Sequence, residues 1–376
     1  MNNLSKKPPG LYVHIPFCRS KCPYCSFYST ASAEWIPAWL EALKKEVLHY
    51  GNRFGTFDTL YLGGGTPTVL PVRTLAEVMG HLFAHFDFLP DREVTLEANP
   101  GGLSRDKIKA LKGLGVNRVS LGVQSFEDRH LLFLGRGHTG LEAERAVSAL
   151  RASGFDNVGL DLIYGMEGQS LKAWINTLKK ALEFRPEHLS CYQLSIERGT
   201  PFWGRKKRGR IMGLEEEDER TFFLATSRFL EDQGYIHYEV SNFAREEVFK
   251  SRHNTKYWDH TPYLGLGPSA HSFGRGVRWW NVRSVRRYCE ALSAGRRPVE
   301  DRECLTPEQL RLESVALGFR TSEGFPQGEI SEDIPAGERL SLLEREGFLR
   351  VQERRVLPTR KGLLVADRLP TFLLEG

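Results

Sequence analysis

Between Leu11 and about Leu230, short runs of Val, Leu, Ile and Tyr alternate with longer stretches whose apolar residues recur every three or four positions. The runs at 12–15, 58–62, 93–97, 117–123, 158–162 and 188–194 have the length and composition of strands. The stretch 34–50 reads as a helix with Trp35, Trp39, Ala42, Leu43 and Val47 on or near one face. Further helices are expected at 72–86, from a Ser104 cap to about Leu114, and at 128–134, 141–152, 171–184 and 214–231. About six βα units in a row predict an α/β protein whose parallel sheet curves into a partial (β/α)6 barrel.

Unusual polar residues fall at the C-terminal ends of these strands. Cys18, Cys22 and Cys25 follow the first, and Gly63-Gly64-Gly65-Thr66-Pro67 follows the second. Glu97 ends the third, Gln124 the fourth, and Asp161 lies at the end of the fifth. Each residue taken singly reads as turn or cap chemistry. Five in succession predict one shared site, because strand ends of a barrel converge on one mouth.

The spacing C-x3-C-x2-C offers soft thiolate ligands to an iron–sulfur cluster or to zinc. A four-iron cluster usually takes four cysteines, so three leave one iron open to a small molecule. No fourth cysteine is near: Phe27 stands two places past Cys25, and the next cysteine is Cys191. His14 would complete a Cys3His zinc site, so spacing alone leaves both readings open. The glycine run is neither a Walker loop nor G-x-G-x-x-G. It lets backbone N–H groups approach a ligand closely.

The basic cluster Arg205-Lys-Lys-Arg208 reads as a solvated loop, and the acidic run 215–219 as a helix start favoured by the helix dipole. The stretch 234–273 is dense in His, Gly and aromatics and has little simple periodicity. From Ala291 the composition shifts. A linker at 293–298 leads to a helix opened by Thr306-Pro307, a second helix at 340–346, a hairpin of 348–351 with 354–358, and a closing helix at 359–367. This is a winged-helix-like pattern. No helix in it carries a strong basic reading face, so no nucleic-acid partner is expected.

The chain has 376 residues, enough for two or three domains, and 40% are apolar, which excludes wholesale disorder. A net charge of +5 is too diffuse to argue for nucleic acid. Three clustered and three isolated cysteines do not form a disulfide framework. With a polar opening at 1–10 and no stretch long enough to span a bilayer, they predict a cytoplasmic protein, peripheral membrane attachment being left open.

The cysteine spacing, with Tyr24 before the last thiol, resembles the signature of the radical S-adenosylmethionine (SAM) superfamily. Tyr12-x-His-Ile-Pro-Phe-Cys18 and His253-Asn-x-x-Tyr-Trp258 resemble one branch of it, the oxygen-independent coproporphyrinogen III oxidases and the HemW-like heme chaperones. The resemblance covers about 9 to 370. It implies a TIM-like radical-SAM barrel over 1–240, a connecting segment at 241–300 as candidate heme-binding region, and a C-terminal winged-helix-like domain over 301–376. It implies a 4Fe-4S cluster on Cys18, Cys22 and Cys25 whose open iron chelates SAM, and an electron donor if SAM is cleaved to a 5′-deoxyadenosyl radical. By the same resemblance Gly64, Gly65 and Thr66 receive the SAM amino group, with Tyr12 and Tyr24 beside the site. Glu97 and Gln124 meet the ribose or carboxylate, Arg136 the carboxylate, and Asp161 the ribose hydroxyls. The loop after Asp161 departs from the family's Tyr-Gly-Leu-Pro-Gly-Gln at Met166 and Glu167.

For heme, the expected residues are His253, Asn254, Tyr257 and Trp258, with Arg252 or Lys256 at the propionates and His14, His237, His260 and His271 as weaker axial candidates. A buried core histidine is the plainer reading of His253. The resemblance implies a heme chaperone that hands heme to an acceptor protein. The alternative is oxidative decarboxylation of coproporphyrinogen III in porphyrin biosynthesis. Phe27 stands where the oxidases typically have a further cysteine, and about ten residues precede the motif where the oxidases have a longer extension. A homodimer is left open.

Overall fold

The computed structural model describes residues 7–330 and 334–375. The polar opening therefore lies outside the described residues as far as Lys6. Strands β1 (Gly10–Ile15), β2 (Phe57–Gly64), β3 (Phe88–Ala98), β4 (Arg118–Gln124), β5 (Val158–Tyr164) and β6 (His188–Gln193) run parallel and neighbour one another in chain order. Between and after them come α1 (Ile36–Tyr50), α2 (Val72–His85), α3 (Arg105–Gly113), α4 (Asp128–Phe133), α5 (Gly140–Ala152), α6 (Leu171–Glu183), α7 (Pro201–Lys207) and α8 (Glu216–Asp232). These are the units the periodicity predicts. Their starts are chemically marked: Ser104 and Ser170 accept from Lys107 N and Ala173 N, and Thr139 forms a capping box with Glu142.

Alternation along each strand sorts the chemistry. Leu11, Val13 and Ile15, Leu60 and Leu62, Val94 and Leu96, and Val119, Leu121 and Val123 join one core with Trp39, Leu43 and Val47 of α1 and Leu75, Val78 and Leu82 of α2. The intervening residues are polar or aromatic: Tyr12 and His14, Thr59 and Tyr61, Glu93, Thr95 and Glu97, Arg118 and Ser120. Period two puts these on the opposite, concave face. A half-barrel with such a lining leaves its interior for hydrogen bonding rather than for packing.

The sheet does not stop at six strands. β7 (Ile236–Glu239) and β8 (Asn242–Ala244) extend it antiparallel beyond β6. β9 (Tyr263–Leu266) pairs parallel with the other edge, β1, and β10 (His271–Gly274), β11 (Val277–Asn281) and β12 (Val299–Cys304) follow antiparallel, making twelve strands. The 241–300 segment, expected as a connector, thus supplies five strands together with α9 (Arg252–Thr255) and α10 (Val285–Ser293). An open parallel sheet has unpaired edge groups that must be covered. These strands are too short and too rich in Gly and aromatics for periodicity to reveal them.

The remaining residues form α11 (Pro307–Gly318), β13 (Phe325–Pro326), α12 (Ile334–Arg345), β14 (Leu349–Gln352), β15 (Arg355–Pro358), α13 (Arg360–Leu364) and α14 (Leu369–Glu375). A three-stranded sheet, β13-β15-β14, packs on the helices around Val315, Phe319, Leu343, Leu349, Val356 and Leu373, a core separate from the barrel's. The arrangement is winged-helix-like. It meets the barrel through Val240 N to Arg320 O, Ser322 N to Tyr238 O, and the Arg320 guanidinium 5.4 Å over the Trp258 ring.

One buried acid ties the extension to the barrel helices. Glu46 of α1 accepts from Tyr288 OH at 2.6 Å, Gly267 N at 2.8 Å and Asn281 Nδ2 at 2.6 Å. Burial raises its pKa to about 7 in spite of these donors. A carboxyl whose pKa rises on folding supports the fold fully below its unfolded value, and that support is lost as pH climbs through the folded one. Wild-type protein is therefore expected to lose stability between pH 5 and pH 8 more steeply than Glu46→Gln, by an amount of order 2 kcal/mol. Urea denaturation of both proteins at the two pH values measures it, and equal slopes would contradict the assignment.

Candidate functional site

The cysteine loop leaves β1 and is closed on itself by Thr30 N to Pro16 O at 2.7 Å, Cys18 N to Thr30 O at 2.9 Å and Cys25 N to Cys22 O at 3.1 Å. It covers a cavity of about 470 Å³ at the C-terminal ends of the strands. Cys18, Cys22, Tyr24 and Cys25 line it together with Gly64, Gly65, Thr66, Glu97, Gln124, Arg136, Asp161 and Asn254. Every SAM-site residue expected from the sequence except Tyr12 is thus on one wall or another of a single space.

The Gly63–Thr66 segment works differently from the expectation that its amides would face a ligand. Gly65 N donates to Ile15 O and Thr66 N to Phe17 O, both at 2.8 Å, and Gly64 N donates to Glu97 Oε2 at 3.1 Å. With these amides engaged, the segment can present acceptors, which suit an ammonium group. The glycines are needed for contact. Gly64 has φ +99°, and a Cβ there would sit 2.5 Å from the His14 ring; at Gly65 it would sit 2.7 Å from the carbonyl oxygens of Ile15 and Phe17. The loop and the strand exit that carries the cysteines are pressed backbone to backbone.

Tyr12 lies behind this contact. His14 Nε2 donates to Tyr28 O at 2.9 Å, which leaves Nδ1 to accept from Tyr12 OH at 2.9 Å. Burial lowers the His14 pKa to about 4, so the ring is neutral. Both its nitrogens are engaged, so His14 is not a fourth ligand beside the thiols.

Arg136 spans the cysteine loop and the strand ends. Its Nη1 is 3.5 Å from Cys22 Sγ and 3.4 Å from Tyr24 OH, and Nη2 donates to Gly122 O at 2.8 Å and to Asn99 Oδ1. Its buried Nε has no partner among the described residues. A fixed cation beside the thiols, with a donor left over, fits an anionic cluster and a ligand carboxylate. Gln124 sits at φ +65°, where β4 shifts register against β5. A non-glycine in this region is strained, and such strain gathers at functional sites.

The two carboxylates stand apart on neighbouring walls. Glu97 accepts from Tyr61 OH at 2.8 Å as well as from Gly64 N, and burial, aided by Asp161, raises its pKa to about 7. Asp161 is held by Ser120 Oγ at 3.0 and 3.1 Å, and burial raises its pKa too. After it, Gln169 Oε1 accepts from Gly165 N at 2.8 Å and closes the loop. Met166 fills a buried slot beside Leu134 and Ile163, and Glu167 is exposed, so the departure from the family pattern is accommodated.

Asn99, Arg118, Ser120, His188 and Ser190 also line the cavity and escaped the sequence reading. Arg118, Ser120 and Gly122 share parity with Gln124 along β4, as do His188 and Ser190 along β6. That parity was the available signal; reading only strand ends passed over it.

The four heme candidates have different surroundings. His253 is buried, with Nδ1 2.8 Å from Thr59 Oγ1 and Nε2 3.0 Å from Tyr257 OH. Its ring lies 5.1 Å from that of Tyr61 and 6.3 Å from that of Tyr12, at the barrel floor, and burial lowers its pKa to about 3. Asn254 reaches the cavity, and Trp258 lies against Arg320. Lys256 pairs with Asp58 at 2.7 Å and Arg252 with Asp58 at 3.2 Å. Of the weaker candidates, His237 donates from Nε2 to Val240 O and accepts at Nδ1 from Ser227 Oγ, His260 pairs with Glu313, and His271 stacks on Trp280 at an exposed edge.

A barrel with three loop thiols over a glycine-lined cavity defines a class, and residues 12–181 match the family model of the radical SAM superfamily. Proteins named heme chaperone HemW are similar throughout: that of Lactococcus lactis is 33% identical over 98% of this chain and 98% of its own, and that of Mycobacterium tuberculosis 34% over 98% and 95%. A Danio rerio protein named radical S-adenosyl methionine domain-containing protein 1, mitochondrial, is 32% identical over 97% of this chain and 87% of its own. The solved coproporphyrinogen III oxidase HemN of Escherichia coli has the same fold, with a TM-score of 0.84 over 98% of this chain and 91% of that one, at 23% identity. The chain belongs to the radical SAM superfamily and, within it, to the family of HemW-like heme chaperones.

The crowding at Gly64 yields a direct expectation. Gly64→Ala adds a Cβ into the His14 ring at a left-handed backbone position and should cost about 2 kcal/mol or more of stability. It should also weaken SAM binding more than tenfold. Urea unfolding and equilibrium dialysis with labelled SAM measure the two, and a variant of wild-type stability and affinity would show that the contact is slack.

Proposed function

We propose that this protein is a heme chaperone built on a radical-SAM scaffold: it binds heme, carries a SAM-ligated 4Fe-4S cluster, and passes heme to an acceptor protein. The observation that carries this reading is the likeness to HemW proteins at about one-third identity along nearly the whole chain. Oxidative decarboxylation of coproporphyrinogen III is the lesser reading. It draws on a fold likeness only, and Phe27, exposed at the cavity rim, takes the place of the oxidases' further cysteine.

Cys18, Cys22 and Cys25 would hold the cluster, which with SAM supplies one-electron reductive chemistry when both are bound and a donor is present. The chain's own residues have definable parts. Arg136 pairs the ligand carboxylate and offsets thiolate charge beside Cys22. The Gly64–Thr66 carbonyls receive the ammonium. Asp161 and Glu97 accept from ribose hydroxyls, and Gln124 and Tyr24 wall the space. Tyr12 is a positioning residue that acts through His14 on Gly64. For His253 to ligate iron, its ring must leave Thr59 and Tyr257. The division into barrel, 241–300 and 301–376 is likewise proposed, supported by the separate core of the last part. Among the described residues no helix is long and apolar enough to cross a membrane; a cytoplasmic site of action is part of the proposal.

Protein purified without oxygen should contain about four irons and four sulfides per chain, and Cys18→Ala, Cys22→Ala or Cys25→Ala should remove them. Iron, sulfide and zinc analysis decides, and stoichiometric zinc without sulfide would refute the cluster. Hemin should give a saturable Soret change, while coproporphyrinogen III should pass through anaerobic assays with SAM and a reductant unconverted. Turnover to protoporphyrinogen IX would reverse the ranking of the two functions.

A further inference from the structure

The deep end of the cysteine cavity carries donors that the SAM-site residues leave unused. Arg118 opens β4 at the barrel floor, is buried, and lines the cavity. Its Nε has no partner, and no carboxylate stands within ion-pair distance of its guanidinium among the described residues. Glu93, the acid whose charge bears on it most, is turned to Arg252 N and His253 N, both at 3.2 Å. Asp161 is turned to Ser120. Thr95, opposite Arg118 in the β3–β4 register, has a buried Oγ1 without a partner. His188 lines the cavity from β6. Tyr238 OH accepts from Ser251 N at 3.4 Å and gives its proton to His188 Nε2 at 2.7 Å. Burial keeps the imidazole neutral, so its one proton is on Nδ1, which is buried and again without a partner. Arg118 and His188 flank Gly159 of β5: a Cβ there would stand 3.5 Å from His188 Nδ1 and 3.7 Å from Arg118 Nη2.

A cation is costly to bury unless an anion meets it, and an N–H unless an acceptor does. Asn157 Oδ1, buried without a partner just before β5, is an uncharged acceptor and cannot offset the cation. A guanidinium and an imidazole N–H on either side of one small space are both answered by a single two-oxygen acid. We propose that the barrel floor is a carboxylate-binding site, with Arg118 and His188 Nδ1 closing on the acid above Gly159. The site is separate from the place of the SAM carboxylate: Arg136 is tied to Gly122 O, four residues and so about 13 Å further along β4 from Arg118. It goes beyond the heme-chaperone reading and does not depend on it, since it rests on buried donors of this chain. The acid is either a free small carboxylate or the acid arm of a larger ligand in the cavity, and the chemistry that receives it is the same.

The test follows thermal melts of the full-length protein, purified without oxygen, as formate or acetate replaces chloride at constant ionic strength. The melting temperature of the wild type should rise saturably. Gly159→Ala puts a methyl group where the acid sits, at ordinary contact distance from its neighbours, and keeps both donors. Its apparent formate affinity should fall at least tenfold. Arg118→Met removes the charge and should lose the response as well, while Arg205→Glu/Lys206→Glu, on the exposed surface of α7, should respond as the wild type does. Hemin titrations of the same proteins separate the two sources. A lost formate response with hemin affinity unchanged in Gly159→Ala supports a free acid, and hemin binding weakened tenfold supports the acid arm of a larger ligand. A Gly159→Ala protein that answers formate as the wild type does overturns the proposal, as does an equal loss in the α7 variant, which would place the effect on the surface. No saturable response in the wild type, with equal hemin binding in wild type and Gly159→Ala, would mean that the floor holds water only, and the site would be struck.

Discussion

The arrangement depends on how closely the second strand's exit can approach the first. Ile15 and Phe17 offer their carbonyls to Gly65 and Thr66, and the absence of a side chain at Gly64 and Gly65 is what lets those bonds form. That contact sets the thiol loop against the cavity. Behind it, Tyr12 and Tyr28 clamp His14 in one tautomer, so the imidazole is a wall for Gly64 rather than a ligand. A methyl group at either glycine would separate two halves of one site that come from strands forty-odd residues apart.

The concave face explains why this rigidity has to be built in. Each inward position that carries Glu, Asp, Arg or His removes a polar group from water, which is unfavourable unless every such group finds a partner. Tyr61 with Glu97, Ser120 with Asp161, His188 with Tyr238 and Thr59 with His253 are those partners. The network's acids are raised and its histidines lowered, both toward neutrality, and His253 of α9 closes the barrel floor. Arg118 goes the other way: burial lowers its pKa, but Glu93 and other groups raise it on balance, and at the mouth Arg136 stands beside Cys22.

The extension of the sheet past β1 has two effects. It protects an edge that would otherwise expose a ladder of amides, and it makes a second concavity between β10–β12 and the end of α1. The first cavity is lined by thiols, carboxylates and small residues; the second by indole, phenol and guanidinium groups.

The six βα units, the helix caps and the cysteine spacing were legible in the chain because they depend on neighbours a few residues away: periodicity, capping side chains and loop ligands are local. Glu97, Gln124 and Asp161 were legible because a parallel barrel brings strand ends together whatever its details, whereas Arg136, in the loop after α4, was reached only through the family resemblance. Four things were decided only by the tertiary structure. The Gly64–Thr66 amides turned inward, since their acceptors lie on β1. Arg118 and Ser190 joined the cavity through pleat parity across strands. Four short strands between residues 263 and 304 extended the sheet, because the open edge of β1 needed pairing. His253 is buried, as the plainer reading of its sequence had it, but the partners that hold it, Thr59 and Tyr257, were set only by the fold. In each case the deciding partner is far away in the chain, and distance in sequence is what local pattern cannot see.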